Sequence, residues 1–276
     1  MSLNPIVGLG QFLAAPGDVQ DNLDLLLGLV DEAGPEELDL MCFPELCLSG
    51  YLLNAEDYTA SLARDLRRAE EAIQTVADAV DVRIVYGTAR WVADRLYNCV
   101  VVADPHAGGT TYTKVHLAGA ERAVFSAGDQ LVLTADGGMG LGCCYDLAFA
   151  GFSTRLAEAG ARMLCFPMAW ERERAFVFES LVAARAVENV AYVLCVNQTG
   201  QARNLDFHGG SRVVDPLGQT LCHLEEKVGV AVVELDLAWV ARLREAPAGV
   251  TYPFASDRRR DEDFRGPCGL DGAMRS

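Results

Sequence analysis

Short apolar runs alternate with amphipathic stretches along the first half of the chain. Residues 5–12 (Pro-Ile-Val-Gly-Leu-Gly-Gln-Phe) have the length and composition of a buried strand. Asp18 then opens a segment carrying Leu25, Leu26, Leu27 and Val30, which predicts a helix. A second apolar run, residues 38–43, stops at Pro44 and is followed at once by Glu45. From 58 to 80, Leu62, Leu66, Ala69, Ile73, Val76 and Val80 recur at helical spacing with charges on the opposite face. Residues 82–92 and 96–103 predict paired strands joined by a short polar turn. Residues 110–117 alternate, with Lys114 among them.

The second half is punctuated by glycine. Gly137, Gly138 and Gly140 lead into an apolar, strand-like run that ends abruptly in Cys143-Cys144-Tyr145-Asp146, and residues 151–160 then predict a helix start. Residues 163–167 repeat the motif of a strand ending in proline. Residues 173–190 form a long amphipathic pattern, and 192–196 a strand ending at Asn197. A strand and turn at 209–218, a last strand at 228–235 and a short helix at 237–244 complete the order. No repeat or low-complexity linker divides the chain, so one domain is expected over 1–276, with its core at about 5–245. The polar tail, 256–276, reads as a solvated terminus or as cover for a partner subunit. Strands that first alternate with helices and later pair directly predict an α/β fold of mixed sheets in stacked layers.

Composition narrows the function. Half the residues are apolar (51%), enough for a sizeable core. No run of about 18 apolar residues exists, so no membrane association is expected. The opening segment lacks a basic stretch followed by an apolar one, so no secretory signal is expected. A net charge of −16 argues against nucleic acid, whose phosphates would be repelled. The nine cysteines include no C-x-x-C pair, which disfavours zinc ribbons and dithiol redox sites and fits a reducing, cytoplasmic setting. The four histidines show no ligand spacing, and no G-x-S-x-G or cofactor motif occurs. Neither metal nor cofactor is expected.

Three residues are candidates for chemistry. Glu45 follows a buried strand, a position where parallel sheets deliver reactive groups, although acids also begin helices as simple caps. Lys114 lies in a half-buried stretch, either as a snorkelling surface residue or as a buried cation. Cys144 sits at a strand-to-helix turn, where a helix N-terminus favours the thiolate, although most free cysteines are small buried hydrophobes.

Together these residues resemble the carbon–nitrogen hydrolase (nitrilase-like) superfamily, whose catalytic set is a glutamate, a lysine and a cysteine in that chain order. The resemblance runs from about residue 5 to 245. It rests on Phe43-Pro-Glu-Leu46 with Ser49-Gly-Tyr51, on Tyr112-Thr-Lys-Val-His-Leu117 and on Cys144-Tyr-Asp146. Phe166-Pro-Met-Ala-Trp170, Arg185-Ala-Val-Glu-Asn189 and Gly209-Gly-Ser-Arg-Val-Val-Asp-Pro216 match flanking segments. The resemblance implies a four-layer α-β-β-α sandwich of two mixed sheets with outer helices, and association as a homodimer or a higher homo-oligomer. It implies Cys144 as nucleophile, with Cys143 at a position where a buried aliphatic usually stands. Glu45 becomes the general base, Lys114 the oxyanion-stabilising cation together with the Tyr145 backbone N–H, and Glu121 the residue that orients the lysine. Trp170 is expected to line the pocket, or else to be a core tryptophan, and Asp146 to fix the turn by hydrogen bonding.

The chemistry fits these residue types. A thiol that titrates near ~8.5 needs a base or a cation beside it to attack a poor electrophile such as an amide. Cys-Tyr-Asp, where nitrile hydrolysers of the family usually have Cys-Trp-Glu, favours amides. Leu147 and Ala148 stand where the D-carbamoylase branch places arginines, so a carboxylate clamp is missing there. Phe149-Ala-Gly151 replaces the usual Phe-Pro-Glu. Residues 116–129 look most like the branch that hydrolyses amides of amino-bearing carboxylic acids, such as aminopentanamide. The expectation is therefore an amidase acting on a small linear or amino-bearing carboxamide. An N-carbamoyl hydrolase or a non-catalytic binding member is the alternative.

Overall fold

A computed structural model of the protein describes residues 2–245. In chain order its elements are β1 (Ile6–Gln11), α1 (Val19–Glu32), β2 (Leu40–Cys42), α2 (Ala60–Val80), β3 (Arg83–Val92), β4 (Arg95–Ala103) and β5 (Thr110–Thr113). There follow β6 (Val132–Leu133), β7 (Met139–Leu141), α3 (Ala150–Glu158), β8 (Met163–Met168), α4 (Ala175–Asn189) and β9 (Tyr192–Asn197). The last are β10 (Thr199–Ala202), β11 (Leu205–His208), β12 (Arg212–Val214), β13 (Thr220–His223), β14 (Gly229–Glu234) and α5 (Leu237–Glu245).

The strands form two six-stranded mixed sheets, in the orders β14-β1-β2-β3-β4-β5 and β13-β12-β9-β8-β7-β6. In each, a parallel trio (β1, β2, β3 or β7, β8, β9) is flanked by antiparallel neighbours. Because side chains alternate across a strand, the apolar runs feed two cores at once. Leu40, Cys42 and Val85 join one cluster with Leu141, Cys165, Phe166 and Leu194 of the second sheet. Met41, Phe43, Ile84 and Tyr86 face the other way, against Leu26 and Val30 of α1 and Leu66 and Ile73 of α2. Phe152 of α3 and Phe178 and Val182 of α4 cover the second sheet. The result is the four-layer α-β-β-α sandwich. Runs apolar on every residue, rather than on alternate ones, are what strands covered on both faces require.

The starts of α1 and α2 follow ordinary capping. Asp18 accepts from the Asp21 N–H at 3.2 Å, and Thr59 accepts from the Leu62 N–H at 3.2 Å. The structure departs from the sequence pattern in three places near the site. β5 ends at Thr113, so Lys114 lies just beyond the strand rather than within it. Two short 3-10 turns, Cys144–Ala148 and Arg172–Arg174, precede α3 and α4. The β10–β11 hairpin, which no sequence signal singled out, packs Phe207 edge-on against Tyr51 at 5.9 Å. The polar tail at 256–276 lies outside the described residues. No described helix is long and apolar enough to cross a membrane.

Candidate active site

Parallel strands β2 and β7 belong to different sheets, and each releases a reactive residue just past its C-terminal end. Beyond β7, Gly142 lies so close to Phe166 that an added Cβ would come within 2.3 Å of the ring. The chain then turns sharply, and Cys144 adopts φ +44, a left-handed conformation that costs energy for any residue with a Cβ. Asp146 holds this turn from inside. Its Oδ2 accepts the Cys143 N–H at 2.9 Å and the Tyr112 hydroxyl at 2.6 Å, and its Oδ1 accepts the His116 N–H at 2.9 Å. Arg185 adds bonds to the carbonyls of Leu147 and Ala148. His116 lies 2.7 Å from Asp146 through Nδ1 and stacks on Phe149, one step away from the thiol.

Beyond β2, Glu45 is pinned by both sheets. Its N–H donates to the Met168 carbonyl at the end of β8, and its carbonyl accepts from Gln198 Nε2 at 2.9 Å. Gly87 of β3 lies directly behind. A Cβ there would sit 2.5 Å from Glu45 Cα and 2.3 Å from the Leu46 nitrogen, so only glycine permits this approach. The Glu45 side chain is fully buried.

Lys114, also fully buried, stands between two carboxylates. Nζ lies 2.6 Å from Glu45 Oε1 and 2.8 Å from each oxygen of Glu121. Asn98 of β4 donates to both acids, at 2.7 Å to Glu45 Oε1 and 3.1 Å to Glu121 Oε1. The Tyr51 hydroxyl and the Ala118 N–H complete the Glu121 shell. Cys143 Sγ is 3.3 Å from Glu45 Oε1. Of the four carboxylate oxygens, Glu45 Oε2 alone has no hydrogen-bond donor among the described residues. A buried acceptor without a partner is costly and uncommon, and here it is the one basic atom free to receive a proton.

The electrostatics follow from burial. Burial pushes the Cys144 thiol well above the ordinary cysteine range and the Glu45 charge adds to this, while Lys114 and the Ala169 backbone pull it partly back. The resting group is therefore the thiol. The helix N-terminus expected to favour the thiolate is not there: Cys144 begins a five-residue 3-10 turn, and α3 starts only at Ala150. Ionisation has to come from a base. Burial pulls the Lys114 ammonium down, but the negative charge of Glu45 outweighs it and holds the lysine well above its usual range, so it stays charged. Glu121 is raised by burial and by the Glu45 charge, against the pull of Lys114.

Cys144 opens onto a cavity of about 520 Å³. Its walls are mainly apolar, including Tyr51, Leu53, Tyr145, Trp170, Leu205 and Phe207, with Glu171 and Arg174 as its charged members. These two pair with each other. The Trp170 indole N–H donates to the Arg174 carbonyl at 2.9 Å, which sets the ring as one wall. Thus Glu45, Lys114 and Glu121 meet in one buried cluster, while Cys144, Tyr145 and Trp170 face the adjoining cavity. Sequence reading missed Asn98 and the Cys143 contact. A polar side chain in the middle of an otherwise apolar strand, as in Leu96-Tyr-Asn-Cys-Val100, was the available signal for Asn98. Among the described residues no group of histidine, cysteine or acidic side chains is arranged to hold a metal ion.

Comparison with known proteins gives a consistent result. The carbon-nitrogen hydrolase family profile matches residues 6–245. An (R)-stereoselective amidase of a Pseudomonas species is 33% identical over 259 residues, covering 92% of this chain and 91% of the relative. A 2-oxoglutaramate amidase of Bacillus subtilis is 31% identical, covering 83% and 88% respectively. Among solved structures, an amidase from Nesterenkonia sp. superposes with a TM-score of 0.78 at 30% identity, covering 86% of this chain and 95% of that one. A mutant of that enzyme carries the acetamide moiety of fluoroacetamide covalently on its active-site cysteine. It superposes with a TM-score of 0.81 at 28% identity, over 92% of this chain and 94% of that one.

Proposed function

This chain belongs to the carbon–nitrogen hydrolase family, and on that premise we propose that it is an amidase that cleaves small carboxamides to carboxylate and ammonia through a Cys144 thioester. The observation that carries the reading is the buried Glu45–Lys114–Glu121 cluster beside a cavity-lining thiol, with Glu45 Oε2 left open. Such a constellation matches the needs of acyl transfer: a base for a protonated nucleophile and a fixed cation for the developing oxyanion.

The amide carbonyl enters above Cys144. Sγ attacks the carbonyl carbon while its proton passes to Glu45 Oε2. The tetrahedral oxyanion is stabilised by Lys114 and the Tyr145 backbone N–H. The C–N bond breaks as Glu45 returns the proton to the departing nitrogen, which releases ammonia and leaves the thioester. Water then gives its proton to Glu45 and attacks the same carbon. The C–S bond breaks, the proton held by Glu45 returns to Cys144, and the carboxylic acid leaves, giving its remaining proton to solvent or to the released ammonia to become the carboxylate. Glu121, with both oxygens on Nζ, fixes the ammonium in place throughout.

The acyl group occupies the apolar cavity against Trp170. An amino-bearing acyl chain would bring its ammonium towards Glu171, the one acid among the described residues of the cavity wall. The protein works as a homodimer or larger homo-oligomer, and Phe176, 81% exposed at the start of α4, supports such an apolar contact. Eight free thiols among the described residues suit a reducing, cytoplasmic location. The chain acts as one domain.

Ammonia release against a panel of short carboxamides, aminocarboxamides, N-carbamoyl compounds and nitriles tests this reading, with peptide mass mapping of a trapped adduct. Turnover of carboxamides and an added acyl mass on Cys144 are expected. Turnover surviving Cys144→Ala, an acyl adduct on Cys143, or silence across the whole panel would overturn it.

A further inference from the structure

The chain carries two adjacent cysteines, and the contacts divide them. Cys144 faces the cavity, whereas Cys143 is 0% exposed and does not line it. Yet Cys143 Sγ, not Cys144 Sγ, lies 3.3 Å from Glu45 Oε1. Its backbone is anchored in the turn by the Cys143 N–H bond to Asp146. The same thiol is 3.8 Å from Asn98 Oδ1, while Asn98 Nδ2 is committed to the two acids. Lys114, Asn98 and Cys143 thus converge on one oxygen of Glu45, and the other oxygen is left without a partner.

We propose that Cys143 is a positioning residue for Glu45: its S–H, with Lys114 and Asn98, saturates Oε1 and so makes Oε2 the oxygen that exchanges protons with Cys144 and the departing nitrogen. This rests on the amidase reading above. A buried aliphatic at 143 would fill the same space but supply no donor, leaving the carboxylate held by two groups instead of three. Burial and the Glu45 charge both push the Cys143 thiol up, so it remains a donor. The other titratable or charged groups around Glu45 are Lys114, Glu121, Tyr51, Tyr58 and Cys144; of these Lys114 also interacts with Cys143, which is a neutral thiol in the wild type and a neutral side chain in both variants.

The test compares Cys143→Val and Cys143→Ser with the wild type, each checked for native melting, in kcat, KM and the pH profile of kcat/KM on one carboxamide. Losing a donor to the charged carboxylate lowers kcat about 3- to 10-fold with KM within about twofold in Cys143→Val. It also moves the acidic limb of the profile to higher pH, because the ionised acid has lost support. Cys143→Ser supplies a stronger donor, so the rate recovers and the limb returns to the wild-type position or below. Wild-type kcat and an unmoved limb in Cys143→Val would overturn the proposal. So would equal losses in both variants without a limb shift, which is the mark of packing alone. A wild type that releases no ammonia from any amide defeats the amidase reading instead. In that event the pH dependence of Cys144 alkylation by iodoacetamide, mapped by peptide mass, reads the same limb. Equal dependence in wild type and Cys143→Val would then overturn the positioning role.

Discussion

Replacing Lys114 by methionine separates what the ammonium does for the fold from what it does for the reaction. The side-chain volume is nearly kept, but Glu45 and Glu121 lose their shared cation, with contacts of 2.6 Å to one and 2.8 Å to the other. Asn98 then remains as the one donor common to both. Breaking a buried ion pair by removing one partner costs about 3–5 kcal/mol, because the remaining charge is left without compensation. Here the remainder is two carboxylates facing each other, so the upper part of that range applies at pH 8. The sign with pH is fixed. Without the cation the carboxylates bind protons more tightly in the folded state than in the unfolded state. The penalty is therefore full at high pH and fades as the pH falls through the raised folded-state value. Glu121 already lies above its ordinary range with the lysine present, so the fading begins above the usual glutamate range. Urea unfolding of wild type and Lys114→Met at pH 8 and pH 5 measures it. Catalysis should fall by at least the ~10²–10³ expected for loss of an oxyanion donor. The double variant Lys114→Met/Glu121→Gln removes one of the clashing charges, so it should regain most of the stability and none of the rate. A variant as stable as wild type at pH 8, a stability gap independent of pH, or a rate loss under tenfold would each refute this account.

Two further outcomes follow from packing and pairing. Gly87→Ala forces a Cβ to within 2.5 Å of Glu45 Cα, so backbone must move. A stability loss of about 1–3 kcal/mol is expected for such overpacking, together with a fall in kcat from the displaced base. Calorimetry plus the ammonia assay checks both, and a variant with full activity would show that the strand gap can relax. Arg83→Met breaks a 2.7 Å pair with Asp104 and a 2.8 Å pair with Asp136, which tie the start of β3 to the end of β4 and to the loop before β7. About 3 kcal/mol should be lost at pH 7, the low end for buried pairs, since 26% of the Asp136 side chain stays exposed. Hydrogen bonds from Thr134 and Arg83 hold Asp136 well below the usual carboxylate range against its desolvation, so the wild-type advantage is complete above the unfolded Asp value of about 4 and shrinks below it. Denaturation midpoints at pH 7 and pH 3 that differ from wild type by the same amount would contradict this.

Much of the molecule was determined locally. Strands buried on both faces need unbroken apolar runs, helices on the outer layers need one apolar stripe, and both periodicities are written in the chain between residues 5 and 245. Proline after β2 ends the strand and places Glu45 beyond it, and Gly142, just before Cys143, permits the approach of Phe166. What the sequence did not determine was proximity. Lys114 is 69 residues from Glu45, and nothing in Thr113-Lys114-Val115 distinguishes a buried ammonium from one that snorkels to solvent. Its burial is decided by Glu121 and Glu45 arriving from a loop and from another strand end. The state of Cys144 was likewise decided in three dimensions: a 3-10 turn replaces the helix start, so desolvation and the nearby acid, not a helix dipole, set its protonation. Asn98 and Cys143 look like ordinary strand and core residues until two sheets close on each other. Local patterns fix which faces are apolar, because burial is a property of one strand or helix at a time. Charge pairing depends on which faces meet, and only the packed sandwich decides that.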